Sequence, residues 1–138
     1  MKALKTLIRL AKEEVEIVRR ALADAEGAHQ RALQRIAALS TDIQREQEEA
    51  LKAMSAWSTY GGYAAARAQD RRLLNDEERA TADHALVLRA RLAEAHVELK
   101  KLEKLAELRA AREAEGERKR EQDALDEAAV LRAGRKRD

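Results

Sequence analysis

A long heptad repeat in the first half of the chain constrains the fold more than any other feature. Its positions are spaced alternately four and three residues apart from Leu4 to Trp57, and all are apolar except His29 and Glu46. They are residues 4, 8, 11, 15, 18, 22, 25, 29, 32, 36, 39, 43, 46, 50, 53 and 57. An apolar position every 3.5 residues over this length is typical of a coiled-coil seam. The repeat predicts one long helix over about residues 3–57.

A second seam follows after a glycine pair. It comprises residues 74, 78, 81, 85, 88, 92, 95, 99, 102 and 106, within a helix predicted over about residues 64–133. Gly61 and Gly62 supply backbone freedom that helices avoid, so we predict a turn at about residues 58–63. Two amphipathic helices joined by a short turn fold back antiparallel most simply. The sequence therefore predicts an all-α, antiparallel two-helix coiled-coil hairpin, with residues 1–138 as a single domain.

The favoured register of this hairpin places Ala25 opposite Leu99. Small residues then face large ones along the seam, which fills space evenly, whereas a slide of one heptad sets Ala25 on Ala106 and packs less evenly. In the favoured register residues 122–138 project with no helix alongside. An apolar stripe in this projecting end suggests a partner site. The alternative is a frayed end packed loosely on Leu4, Leu7 and Ile8.

Charge and residue usage exclude several function classes. The chain has 28 Lys and Arg against 26 Asp and Glu, and it contains no cysteine. A dedicated nucleic-acid binder normally has a clear basic excess, and thiolate metal sites or disulfides need cysteine. No apolar run is long enough to span a bilayer, and the N-terminus lacks the apolar core of a signal peptide, so we expect a cytoplasmic protein.

Enzyme chemistry and bound metals are not predicted. A thin two-helix hairpin offers no pocket to shift carboxylate pKa values, and no nucleophile or phosphate-binding motif is present. The favoured register sets His29 opposite Ala95 and near His96, but structural zinc needs four ligands. A lone polar seam residue more often fixes register. We expect no metal and no cofactor.

Two further clusters have either a binding or a structural interpretation. Lys2, Lys5, Arg9 and Lys12 form a basic stripe, which either contacts an acidic partner or anionic membrane or simply keeps the helix soluble. Trp57, Tyr60 and Tyr63 gather every aromatic residue near the turn. They either cap the seam or form a docking site.

Three features of the chain occur together: the opening LIRLAKEEVE, the glycine-containing break, and the C-terminal run from Glu121-Gln122 through Leu125-Asp126-Glu127-Ala128 to Arg132. With these features, and over essentially its whole length, the chain resembles the FliJ family of the flagellar type III export apparatus. The resemblance implies a non-enzymatic antiparallel coiled coil, similar to the two-helix part of the rotary ATPase gamma subunit. It also implies that the terminal regions enter the hexameric export ATPase and promote its assembly and activity.

The resemblance further implies particular partners and residues. Carried onto this chain, the ATPase-facing set is Leu125, Asp126, Glu127, Ala128, Leu131 and Arg132, to which we add Leu4, Lys5 and Ile8 because of their proximity in the hairpin. The middle of the hairpin is expected to contact the cytoplasmic domain of the export gate and export chaperones, with Leu39, Asp42, Ile43 and Glu46 at the gate-facing position. The family favours aromatic residues there, and this chain departs from that pattern.

The implied location is cytoplasmic and peripheral to the inner membrane, through these partners.

Two alternative functions remain open from sequence. One is the equivalent stalk protein of a virulence-type injectisome. The other is a helical adaptor whose basic ends, Lys2 to Lys12 and Arg135 to Arg137, bind nucleic acid or membrane, although the near-neutral net charge disfavours it.

Overall fold

The chain forms two long α-helices that pack against each other. In this computed structural model α1 is Lys2–Lys52 and α2 is Met54–Arg137. The structure describes residues 2–137, without the side chains of residues 54–59, 136 and 137. Within this range there is no strand, and neither helix is long and apolar enough to cross a membrane. The predicted all-α class and helical hairpin are confirmed.

The predicted seams are the faces that pack. On α1 the buried apolar residues are Leu4, Val15, Val18, Ala25, Ala32, Leu39 and Ala50, all of them seam positions. On α2 they are Ala85, Leu88 and Ala95, and the other predicted positions from Leu74 to Ala106 are half-buried. Glu46 and Ala53 are exposed. Outside the seams the chain consists mainly of strong helix formers and contains no proline. Both helices can therefore be long although only one stripe of each is buried.

These packed residues fall into two compact units. One comprises residues 13–95, and its central cluster contains Ala25, Ala85 and Leu88, with Ala21 and Leu22 packed against it. The other combines the first turns of α1, up to Lys12, with α2 from His96 onward. Each unit is therefore built from both helices.

Contacts within residues 13–95 correct the predicted register. Ala25 packs with Ala85 and Leu88, not with Leu99, so α2 is displaced by about two heptads from the expected pairing. The cross-helix polar contacts agree: Arg89 Nη2 donates to Glu26 Oε1 at 3.2 Å, and Arg71 Nη2 donates to Ser40 Oγ at 3.4 Å. Later residues of α2 meet earlier residues of α1, so the pair is antiparallel.

The helix boundary also differs from the expected turn. Ala53 is the one non-helical residue within residues 2–137, and its amide donates to the Glu49 carbonyl at 3.2 Å. Gly61 and Gly62 lie inside α2, with no positive φ. Each glycine weakens a helix by about 1 kcal/mol. Half-buried residues directly after the pair, Tyr63 and Ala64, pack in the helical conformation and offset that cost.

The exposed part of α2 at its C-terminal end is longer than the sequence predicted. Every described residue from 107 to 135 is exposed except the half-buried Gly116, whereas the expected register left only residues 122–138 without a partner. Within the unit formed by residues 1–12 and 96–138, these exposed residues are the part of α2 that the first turns of α1 do not cover. We call residues 109–135 the C-terminal segment.

Candidate functional site

The C-terminal segment presents apolar side chains to solvent on a helix. Leu125, Val130 and Leu131 are 66%, 71% and 61% exposed. At 3.6 residues per turn Leu125 and Leu131 lie on one side of the helix with Ala128 between them, whereas Val130 lies on another side. An apolar patch on an otherwise charged helix is typical of a partner surface.

Charged groups surround this patch on the same helix. Asp126, Glu127 and Arg132 are exposed, and Gln122 Nε2 donates to Asp126 Oδ1 at 3.1 Å, one helical turn apart. Arg132 and Arg135 also line a shallow groove of about 500 Å³ with two alanines. The six residues of the segment that the resemblance leads us to expect at the ATPase are all exposed.

The three added N-terminal residues differ in exposure. Leu4 is only 5% exposed, so its side chain stabilises the packed seam and is not a surface residue. Ile8 is half-buried, and Lys5 is exposed. Because the seam position of Leu4 faces the other helix, its inclusion in a docking surface is corrected, and Lys5 is the member of this group that a partner can reach.

A second candidate surface lies within residues 13–95, where α1 and α2 border a groove. We call it the tip groove; its cavity volume is about 360 Å³. Residues of both helices line it: Ile43, Gln47, Tyr60, Ala64, Arg67, Ala68, Arg71, Arg72 and Asn75. Three of these side chains are arginines, so the groove combines an apolar floor with several guanidinium donors.

Tyr63 and Arg67 form the best-defined contact beside the tip groove. The Arg67 guanidinium carbon lies 5.3 Å from the centre of the Tyr63 ring, a cation–π distance, and Arg67 Nη2 lies 3.1 Å from Asp70 Oδ2. Arg67 Nε is buried and has no hydrogen-bond partner among the described residues. A buried donor without an acceptor is unfavourable.

The electrostatics at Tyr63 reflect its place between the helices. Partial burial of the phenol raises its pKa above 10.0, and the nearby carboxylates of Glu46 and Asp42 raise it further, against the opposing effect of Arg67. Tyr60 lies beside it, with ring centres 6.1 Å apart. Acidic and basic side chains from both helices therefore meet at this point.

Of the four expected gate-facing residues, the structure places three at or beside this surface. Ile43 lines the tip groove, and Asp42 and Glu46 are exposed beside Tyr63. Leu39 is 9% exposed and belongs to the packed seam, so it is corrected from a surface contact to a core residue.

Sequence reasoning missed Tyr63 and Arg67 as neighbours of the residues expected to face the gate. The aromatic cluster was the available signal, but the assumed turn placed Tyr63 outside the helical pair. Tyr60 and Tyr63 lie in α2 and are half-buried. The side chain of Trp57, the third member of the cluster, lies outside the described residues.

The histidines are not arranged as a metal site. His29 Nε2 lies 3.0 Å from Glu78 Oε1 across the helices, and this seam contact replaces the expected approach to Ala95 and His96. Beside it Arg35 donates to Glu77. The described residues contain no group of three or more His, Cys, Asp or Glu side chains that could hold a metal ion.

Comparison with known proteins gives one family. A family model described as Flagellar FliJ protein matches residues 1–138. No curated protein and no solved structure matches the chain.

Proposed function

Because this chain belongs to the flagellar FliJ protein family and is thus a component of the flagellar export apparatus, we propose that it binds the export ATPase ring through its C-terminal segment. In this proposal the chain promotes assembly and activity of the ATPase hexamer and has no catalytic activity of its own. It acts in the cytoplasm, peripheral to the inner membrane through its partners.

The observation that supports this proposal best is the exposed apolar helix at the C-terminus. Burying Leu125 and Leu131 against a partner contributes about 1.5–3 kcal/mol for each side chain, while no residue of α1 competes for them. Asp126, Glu127 and Arg132 then lie at the rim, where charges set orientation and partner choice.

A single helix in the centre of a ring also has a physical route to regulation. One helix cannot make identical contacts with every subunit of a hexamer, so it binds some subunit conformations better than others. Differential contacts of this kind shift the conformational equilibrium of the subunits that the helix touches. The expected result is faster ATP hydrolysis without any catalytic residue from this chain.

The tip groove is the proposed contact for the cytoplasmic domain of the export gate. Ile43 provides an apolar contact, Asp42 and Glu46 provide carboxylates, and Arg67 provides a guanidinium group on a side chain that is 37% exposed. We place the export chaperones on the hairpin as well, near the gate contact, as the family resemblance implies. In this proposal the C-terminal segment binds the ATPase, and the tip groove binds the gate.

Replacing an exposed leucine of the C-terminal segment tests the ATPase contact. Leu131→Asp should weaken binding to the purified flagellar export ATPase of the same bacterium by at least about tenfold, because about 1.4 kcal/mol changes an equilibrium constant tenfold. Leu51→Asp is the matched control, since Leu51 is 75% exposed and lies outside the segment. Equal affinity for both variants, with helicity unchanged by circular dichroism, would remove the stripe from the ATPase contact.

The gate contact needs a separate experiment. Arg67→Ala should weaken binding to the purified cytoplasmic domain of the gate protein and leave ATPase binding unchanged. Arg91→Ala is the control, because Arg91 is exposed and does not line the tip groove. Gate binding that survives Arg67→Ala, Asp42→Asn and Glu46→Gln together would exclude this surface.

A further inference from the structure

The outer face of α2 carries an apolar groove that neither proposed contact uses. It has a volume of about 660 Å³ and is lined by Val97, Lys100, Lys101, Lys104, Leu105 and Leu108. We call it the lysine groove. Val97, Leu105 and Leu108 are 52%, 40% and 47% exposed.

The position of this groove on the helix separates it from the hairpin core. The seam of α2 in this unit runs through Leu99, Leu102 and Ala106, which are half-buried. At 3.6 residues per turn, Val97 and Leu108 lie on the opposite face of the same helix. The outer face of a two-helix coiled coil is ordinarily polar, so apolar residues here are not explained by the packing of α1.

The walls of the groove carry positive charge that can turn toward a partner. Lys101 Nζ lies 3.3 Å from Glu98 Oε1 and Lys104 Nζ lies 3.6 Å from Glu107 Oε2, both within one exposed helical turn. Exposed pairs of this kind contribute little stability. The lysine stems cover apolar surface while their ammonium groups stay in solvent, where they can reach carboxylates of a bound molecule.

We propose that the lysine groove binds one amphipathic helix of a partner protein, whose apolar stripe is edged by Asp or Glu. From Val97 to Leu108 the groove spans about 16 Å, which matches three turns of a partner helix at about 1.5 Å per residue. The apolar floor takes the stripe, and the three lysines pair with its acidic edges. This contact is distinct from the C-terminal segment and does not depend on ATPase binding.

Charge complementarity favours this occupant over two others. A symmetric contact with a second copy of the chain would set the same lysines against each other, and like charges at an interface disfavour association. An anionic bilayer attracts helices with a strongly basic face. Here Glu98, Glu103 and Glu107 alternate with the lysines, so the surface lacks the charge excess that lipid binding needs.

A charge-swap experiment tests the proposal. The probes are two fluorescein-labelled, three-heptad amphipathic peptides with leucine stripes, one edged by Glu and the other by Lys. The full chain should bind the Glu-edged peptide at least about tenfold more tightly, as seen by fluorescence anisotropy. Replacing Lys100, Lys101 and Lys104 together by Glu should reverse this preference. Leu108→Ser should weaken binding of the Glu-edged peptide by about tenfold, because it removes an apolar anchor.

Controls separate this proposal from the ATPase contact. Leu131→Asp should leave peptide binding unchanged, and Leu108→Ser should leave ATPase binding unchanged; circular dichroism checks helicity of each variant. Three results would overturn the proposal: equal binding of both peptides by the natural chain, no change of preference after charge reversal, or binding to phosphatidylglycerol-containing vesicles with none to the Glu-edged peptide.

Discussion

Replacing Gly61 and Gly62 by alanine should stabilise the protein, because both residues lie within α2. Neither glycine has a positive φ, and a Cβ atom built on each meets no other atom within 4 Å. Alanine is more favourable than glycine by about 0.8–1.0 kcal/mol in a helix interior. No clash reduces this gain, so the double variant should raise the free energy of unfolding by about 2 kcal/mol.

The assay is urea unfolding followed by circular dichroism at 222 nm. The midpoint should shift to higher urea while the slope stays constant, which reports a change in stability without a change in exposed surface. Gly116→Ala is the contrasting variant: its Cβ is also unobstructed, but it lies in the unpaired C-terminal segment. It should add local helicity and shift the global midpoint little, because an unpacked helical end opens independently.

Whether the double variant is more or less stable than the natural chain distinguishes a continuous helix from a turn at Gly61 and Gly62. A turn at residues 58–63 that used either glycine in the left-handed region would be strained by alanine and destabilised by about 1 kcal/mol or more. A lower urea midpoint for the double variant would therefore refute the continuous helix through Gly61 and Gly62 and restore the later turn.

Three further results follow from the packed residues. Leu88→Ala should lower the free energy of unfolding by about 2–3 kcal/mol in urea titrations, because Leu88 is 4% exposed; a loss below about 1 kcal/mol would contradict its place in the core. The folded protein raises the pKa of Tyr63, so the protonated phenol contributes its full stability below pH 10.0, and this contribution is lost as the pH rises through the folded-state pKa. Alkaline unfolding should therefore begin at lower pH in the natural chain than in Tyr63→Phe, and identical alkaline unfolding curves would contradict this. Cysteines at Ala25 and Ala85 should form an intramolecular disulfide on mild oxidation, whereas cysteines at Ala25 and Leu99 should not, and the reverse result would restore the register favoured by sequence.

The hydrophobic periodicity predicted the helices and their packed faces but not their alignment. A seam of Ala and Leu repeats every seven residues, so sliding one helix by whole heptads keeps apolar residues in contact and changes only their sizes. Pairing Ala25 with Leu99 matches a small side chain with a large one, but the helix boundary lies at Ala53, and Ala25 packs against Ala85 instead. The position of the turn, not the size pattern, decides between registers.

The glycine pair misled the prediction of the turn for a related reason. The intrinsic propensity of Gly61 and Gly62 disfavours a helix. The half-burial of Tyr63 directly after them depends on the packing of the two helices, which a local sequence pattern does not report. The same error hid the tip groove, because Tyr63 and Arg67 meet Asp42 and Glu46 only when the helix begins early. Conversely, the apolar residues of the C-terminal segment could be recognised in sequence because their spacing depends on one helix alone.

ATP hydrolysis by the purified flagellar export ATPase tests the central claim most directly. The rate is measured with the full chain, with a truncation that ends at Asp123, and without either protein. The truncation retains the packed seams and removes Leu125 and Leu131, so the account predicts stimulation by the full chain and none by the truncation. Equal stimulation by both would contradict the claim that Leu125 and Leu131 of the C-terminal segment bind and activate the ATPase.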